Sequence, residues 1–382
     1  MSHDRRECFA PAGRGSDVTV IIPTRNRRNL LLRTLRSVLA QDDVRLSVVI
    51  VDDAGDDHTG LAAAATGDQR VRIVRHEARR GVSAARNSGL AVATTPWVAF
   101  VDDDDVWAPD KLRQQLDAVS TTEAARWSCV GSVNIDAQGR VLWWADAPYE
   151  VDLSAELLAR NCIPGGGSGV LADTDLAREI GGFDENMSNL ADWDFYVRLA
   201  QRSPIAPVHA PLLGYLVHAD SMAHNINRSD AEYRYMGRKY AELRRARGVV
   251  PDQVQWLRYL AGMAYNGGHR VAGARMCLRL GLRHGQLRSL RSVGMAVVPT
   301  SVYRSRARRG STKIPQAWKQ GVEEWLRPYA PTSDMEHPRQ LGADGTLQGV
   351  AYRWPSRAAG SHATRGSGPR AGATSEGTLT SS

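Results

Sequence analysis

Trp97-Val98-Ala99-Phe100-Val101 runs directly into Asp102-Asp103-Asp104-Asp105. Five apolar residues without polar alternation read as a strand buried on both faces. The four adjacent carboxylates that follow repel one another, which raises their pKa values and costs stability unless a cation or a hydrogen-bond network compensates. A solvated acidic loop is one reading. The sharper one is a divalent-ion site, because Mg2+ and Mn2+ prefer carboxylate oxygen and take one or two protein carboxylates together with phosphate oxygens and water.

Moving outward, similar apolar runs alternate with helical patterns: 18–22 then 30–39, 48–51 then 61–65, 71–74 then 83–93, and 98–101 then 111–119. This alternation predicts an α/β domain with a mostly parallel, Rossmann-like sheet flanked by helices. Ligands in such sheets bind beyond the carboxyl ends of the strands. The first end is Pro23-Thr24-Arg25-Asn26, the second Asp52-Asp53-Ala54-Gly55-Asp56, and the fourth the Asp102–Asp105 run. Polar groups therefore converge on one edge, although Thr24, Asn26, Asp52 and Asp53 equally suit turns and caps.

The chain has 382 residues, enough for two or three domains at ~150 residues each. With 42% hydrophobic and 24% charged residues it reads as globular. No apolar run nears the ~20 residues that cross a bilayer, and Asp4, Arg5, Arg6 and Glu7 stand where a signal peptide has its apolar core, so a cytoplasmic active site is expected. Cys8, Cys129, Cys162 and Cys277 are scattered, which argues against a disulfide framework or a zinc site.

The net charge of +8 joins unlike parts. Residues 1–230 carry 24 basic and 32 acidic side chains, residues 231–330 carry 20 and 5, and residues 331–382 carry 5 and 4. In the basic segment Tyr233, Met236, Tyr240, Leu243, Trp256, Leu257, Leu260, Met263 and Ala264 fall at helical spacing, which predicts amphipathic helices packed on the sheet domain. Their positive faces are either solvated or held near anionic lipid at the inner membrane face. Nucleic acid is the poorer reading, since no binding motif accompanies the charge. The last fifty residues are rich in Gly, Ser, Thr, Ala and Pro and are expected to be disordered.

Val20-Ile21-Ile22-Pro23-Thr24-Arg25-Asn26-Arg27, Val48-Val49-Ile50-Val51-Asp52-Asp53, Gly81-Val82-Ser83-Ala84-Ala85-Arg86-Asn87-Ser88-Gly89-Leu90 and Phe100-Val101-Asp102-Asp103-Asp104-Asp105-Val106-Trp107 together resemble the successive signatures of family 2 glycosyltransferases, which have the GT-A fold. Gly181-Gly182-Phe183-Asp184-Glu185, followed by Asp192-Trp193-Asp194-Phe195, is similar to that family's acceptor-side segment. The resemblance divides the chain into a flexible 1–16, a GT-A domain over 17–227, a basic helical region over 228–330 and a disordered 331–382.

What the resemblance implies is transfer of a sugar from a nucleoside diphosphate to an acceptor hydroxyl, with inversion and with Mn2+ or Mg2+. It makes Asp104 the metal ligand and Asp102 its partner in a DxD pair, with Asp103 an alternative for the ribose contact. It makes Asp53 the acceptor of a base ring N–H, which favours UDP or dTDP. Pro23, Thr24 and Arg25 form the rest of that pocket, with Arg86 and Asn87 beside it. It makes Asp192 the general base, at a helix start whose dipole should lower its pKa. The family's usual acidic residue just before it is here Ala191, which leaves Asp194 as an alternative. His218 falls where some relatives place a further metal ligand; His224 is a weaker candidate. Pro164-Gly165-Gly166-Gly167-Ser168-Gly169 reads as a flexible acceptor-side loop. The acceptor is a glycan, a lipid-linked molecule or a small molecule.

Three rivals remain. A haloacid-dehalogenase-like phosphatase fits Asp102-x-Asp104 but needs a downstream Lys, and none lies between Lys111 and Lys239. A nucleotidyltransferase needs a Gly-rich basic loop after the first strand, which is missing. A non-catalytic module would bind only the cation or nucleotide.

Overall fold

The computed structural model describes residues 17–57, 63, 66–218, 225–297 and 314–329. The stretches 1–16 and 331–382, His224, and all but Ala63 of the helix expected over 61–65 lie outside the described residues.

The strands are β1 (Asp17–Thr24), β2 (Arg45–Asp52), β3 (Val71–Arg75), β4 (Trp97–Phe100), β5 (Val106–Trp107), β6 (Trp127–Ile135), β7 (Val141–Ala145), β8 (Val170–Asp173) and β9 (Ile205–Leu216). They form one nine-stranded sheet in the order β3-β2-β1-β4-β8-β6-β9-β5, with β7 paired to β6. The first four strands are parallel, as their helical crossovers require. Beyond β4 the sheet turns mixed: β8 runs antiparallel to β4 and β6, and β9 runs parallel to β6.

Side-chain alternation divides the core. Ile21, Val49, Val51, Val98 and Phe100 bury on one face with the helices Val82–Val92 and Ala191–Ala200. Val20, Ile22, Val48, Ile50, Ala99 and Val101 bury on the other with Arg28–Leu39 and Lys111–Thr121. Both faces are covered, so the strands carry apolar residues throughout. The helix Val82–Val92 lies close on β1 because Gly89 faces Ile21; a Cβ there would meet Ile21 Cγ2 at 2.4 Å.

The basic region is helical over Ile226–Lys239, Ala241–Ala246, Gln253–Asn266 and Arg270–His284. Met236, Tyr240, Trp256, Leu260 and Ala264 join the same core as Trp193 and Phe195, so these helices extend the first face of the sheet. A later helix, Gln316–Leu326, buries Val322 and Leu326 against Val106, Val133 and Leu216. Among the described residues no helix is long and apolar enough to cross a membrane.

Candidate active site

Parallel strands end together. Thr24 of β1 pairs with Asp52 of β2, and Ile21 pairs with Phe100 of β4 just before the acidic run. The edge they share is a cleft of about 260 Å³ lined by Pro23, Thr24, Arg25, Asp53, Arg86, Asp102, Asp103, Asp104 and Asp192. His218, just past the end of β9, reaches Asp104 Oδ2 with Nε2 at 2.9 Å. The residues singled out from sequence are thus brought together.

The four carboxylates divide by their partners. Asp102 accepts from Arg86 Nη2 at 2.5 Å. Asp103 accepts from Thr24 Oγ1 at 2.7 Å and from Arg27 Nη1 at 3.1 Å. Asp104 accepts from the same Arg27 nitrogen at 2.7 Å. Asp105 is fully buried and points away from the cleft, accepting from the Leu216 amide at 2.9 Å and from Ser168 Oγ at 2.5 Å. Burial and the neighbouring carboxylates push Asp103 and Asp105 upward. Asp105 is therefore a brace between β4, β9 and the glycine-rich turn. The hydrogen-bond network that could relieve the acidic run does so in part, through Arg27, Arg86 and Ser168.

At the second strand end Asp52 and Asp53 separate similarly. Asp52 is fully buried in a turn, accepting from the Gly55 amide at 2.8 Å and from Arg75 Nη1 at 2.6 Å. Asp53 Oδ1 contacts His76 Nδ1 at 2.8 Å and accepts from the Arg80 amide at 2.7 Å; Oδ2 accepts from the Gly81 amide at 2.8 Å. Burial alone would raise its pKa, but the Arg80 and Gly81 amides and His76 together hold it below the usual carboxylate range. Three of its roughly four lone-pair sites are used within the chain. Asn26 takes φ 56° and accepts from the Asp56 amide at 2.8 Å, a turn role. Asn87 clasps Phe183, donating to its carbonyl and accepting from its amide at 2.9 and 2.7 Å, which docks the Gly181–Phe183 segment on the helix.

The helix Ala191–Ala200 carries two carboxylates in its first turn. Asp194 faces inward, fully buried, bound by Arg198 Nη2 at 2.7 Å, Tyr240 Oη at 2.7 Å and Lys239 Nζ at 2.6 Å. Asp192 faces the cleft. Its pKa departs from the expected lowering: burial pushes it up to about 6, against the pull of Arg86 and of the Trp193 amide. Desolvation by the surrounding protein outweighs the helix dipole.

Behind Asp192 opens a second cavity of about 430 Å³. Asp192, Gly166, Asn189 and Tyr215 line both cavities. The glycine-rich stretch is a packed 3-10 turn, Gly166–Gly169, with Gly167, Ser168 and Gly169 buried, rather than a flexible loop. Its glycines let the backbone lie against the site: a Cβ on Gly167 would come within 2.9 Å of Arg86 Nη2, and one on Gly166 within 3.5 Å of Asp192 Oδ2. The helix Gln253–Asn266 contributes Trp256 and Tyr259 to this second cavity. Trp193 and Phe195 are core residues, 3% and 0% exposed.

Among the described residues no three His, Cys, Asp or Glu side chains gather into a cage for a metal. A hard divalent ion that completes its shell from phosphate oxygens and water needs no such cage. The convergent carboxylate of Asp104 and imidazole of His218 are donors that fit Mn2+ or Mg2+. Lys111, the first lysine after the acidic run, is buried against Gln115 and the Trp107 ring, with Nζ 2.8 Å from Gln115 Oε1.

Sequence reasoning left Arg27, His76, Ser168 and Tyr215 without roles. Arg27 sat inside the first quoted motif. Ser168 sat inside the quoted glycine-rich stretch, and His76 and Tyr215 meet the site only through long-range folding.

Residues 19–159 match the model of glycosyl transferase family 2. The succinoglycan biosynthesis protein ExoO of Rhizobium meliloti is 37% identical over 108 residues, 28% of this chain and 31% of that protein. ExoU of the same organism is 32% identical over 148 residues, 36% of this chain and 41% of that protein. The chain thus spans about a third to two-fifths of the length of these relatives. S. aureus TarS 1-349 in complex with UDP-GlcNAc overlays with a TM-score of 0.47 at 16% identity, covering 76% of this chain and 92% of that one. The family match covers the part of the chain that carries its strand-end carboxylates.

Proposed function

We propose that the protein is an inverting glycosyltransferase that moves a sugar from a nucleoside diphosphate, UDP or dTDP by preference, to an acceptor hydroxyl. The observation that carries this reading is the position of Asp192 where the carboxylate-lined cleft meets a second, aromatic cavity. Donor and acceptor can then meet at one carboxylate.

In this reading Pro23, Thr24, Arg25 and Asp53 hold the nucleoside, with the remaining lone pair of Asp53 open to a base N–H. Asp102, more open to the cleft than Asp103, takes the ribose. Asp104 and His218 would hold a divalent cation, which supplies positive charge to the diphosphate. Arg27 and Arg86 keep the carboxylates aligned. The acceptor oxygen bonds to the anomeric carbon as the bond from that carbon to the diphosphate oxygen breaks; the electron pair leaves with the diphosphate and the acceptor proton passes to Asp192. Attack from the face opposite the leaving group inverts the anomeric centre.

The basic helices support peripheral contact with anionic lipid at the cytoplasmic face of the membrane. On the helix Arg270–His284, Val271, Arg275, Leu278 and Leu282 form one stripe. Val271 and Leu282 are 61% and 72% exposed, Arg279 and Arg283 flank the stripe, and residues 270–291 contain six Arg and no acidic residue. Apolar side chains fringed by guanidinium groups suit a negatively charged bilayer surface.

Calorimetry with Mn2+ and UDP or dTDP tests the donor site. Binding heat that disappears in Asp104→Ala and persists in Asp192→Asn is expected; equal loss in both variants would contradict the division of roles.

A further inference from the structure

The second cavity has a built floor. Asn134 of β6 pairs with Trp143 of β7 on one side and with Tyr215 of β9 on the other, so three adjacent strands present one row, Trp143-Asn134-Tyr215, on a single face. Trp144, the next residue, turns to the opposite face and meets Trp318 at 5.0 Å. The helix Gln253–Asn266 supplies the other wall. There Trp256 stacks on Tyr233 at 4.2 Å and on Tyr259 at 5.5 Å. Trp143 and Tyr259 each remain 37% exposed.

Two polar atoms in this lining lack partners. Ser132 Oγ, on a residue 1% exposed, and Trp256 Nε1 are buried without a hydrogen bond. Ser132 lies one pair along from Asn134 on the cavity face, opposite Ala145. Both atoms are themselves closed to solvent, so they lie behind the cavity surface rather than on it.

Exposed aromatic faces next to amide and hydroxyl groups match a pyranose ring. One face of such a ring is a patch of C–H groups that stacks on an aromatic, and its edge carries hydroxyls that donate and accept. A lipid phosphate would call for clustered cations instead. Among the residues lining the cavity the basic one is Arg160, already paired with Glu156. We infer that this cavity binds a pyranoside, stacked on Trp143 and read by Asn134, and that the acceptor is therefore the sugar end of a saccharide. Only the word acceptor depends on the transferase reading; the carbohydrate site stands on its own geometry.

Saturation-transfer NMR with the methyl pyranosides of glucose, galactose, mannose, rhamnose and N-acetylglucosamine, run beside UDP and geranyl phosphate, tests this. At least one glycoside should give ring-proton signals. Its affinity should fall about fivefold or more in Trp143→Ala, recover in Trp143→Phe, and leave nucleotide signals unchanged. No glycoside signal, a signal indifferent to Trp143→Ala, or binding of geranyl phosphate in place of every glycoside overturns the inference. A glycoside signal that depends on Trp143 in a protein that binds no nucleotide would keep the carbohydrate site and discard the transferase.

Discussion

Arg86 donates to Asp102 at 2.5 Å and its charge also acts on Asp192, so one buried guanidinium ties the donor-side carboxylates to the proposed base. The arginine is held over the Phe183 ring, 5.0 Å from its centroid, and against Gly167. In the proposed mechanism, proton acceptance at Asp192 is then coupled to the state of the carboxylate-lined cleft.

A base accepts a proton only when ionised. Burial pushes Asp192 up to about 6, so kcat/KM should rise with pH to a limb near that value and level off above it. Arg86→Gln removes a charge that favours the carboxylate, and the limb should move to higher pH. A pH-rate profile that moves the other way contradicts the coupling.

Asp192→Asn keeps the shape of the side chain and removes the base. Transfer should slow by about a hundredfold or more while nucleotide affinity, read by calorimetry, stays close to that of the parent.

Adjacent carboxylates should fail differently. Asp105→Ala strands the Leu216 amide and Ser168 in the interior and should cost about 2 kcal/mol or more in chemical denaturation. Asp104→Ala, at the cleft, should change stability less and abolish the effect of Mn2+ on nucleotide binding.

Gly89→Ala would push a methyl group into Ile21 and lift the helix Val82–Val92 from β1. An overpacking cost of about 1–3 kcal/mol is expected by denaturant titration.

Leu278→Asp with Leu282→Asp should weaken co-sedimentation with phosphatidylglycerol vesicles at low salt, and the parent protein should lose binding at high salt. Equal binding to neutral vesicles would remove the electrostatic part of that proposal.

Much of the parallel half of the sheet was legible in the chain, because buried strands such as 48–51 and 98–101 carry uninterrupted apolar runs and end in polar residues. The later half was not: β5 is two residues long, too short for periodicity to register, and the apolar residues of β6 are interrupted by Ser128, Gly131, Ser132 and Asn134. The cleft residues were legible as types, but their division was not. Whether Asp104 or Asp105 faces the cleft depends on where β9 places the Leu216 amide, a contact 111 residues away in sequence. The direction of the Asp192 shift was misjudged because the helix dipole can be read from sequence and burial cannot. The aromatic floor was invisible for the same reason, since Trp143, Asn134 and Tyr215 meet only through strand pairing.

The most direct measurement is release of nucleoside diphosphate from a panel of UDP- and dTDP-sugars with Mn2+, with and without saccharide acceptors. The account predicts release from at least one donor, stimulated by acceptor, lost in Asp192→Asn, and accompanied by a product of inverted anomeric configuration in the NMR spectrum. No release from any donor, or release with retained configuration, would contradict it.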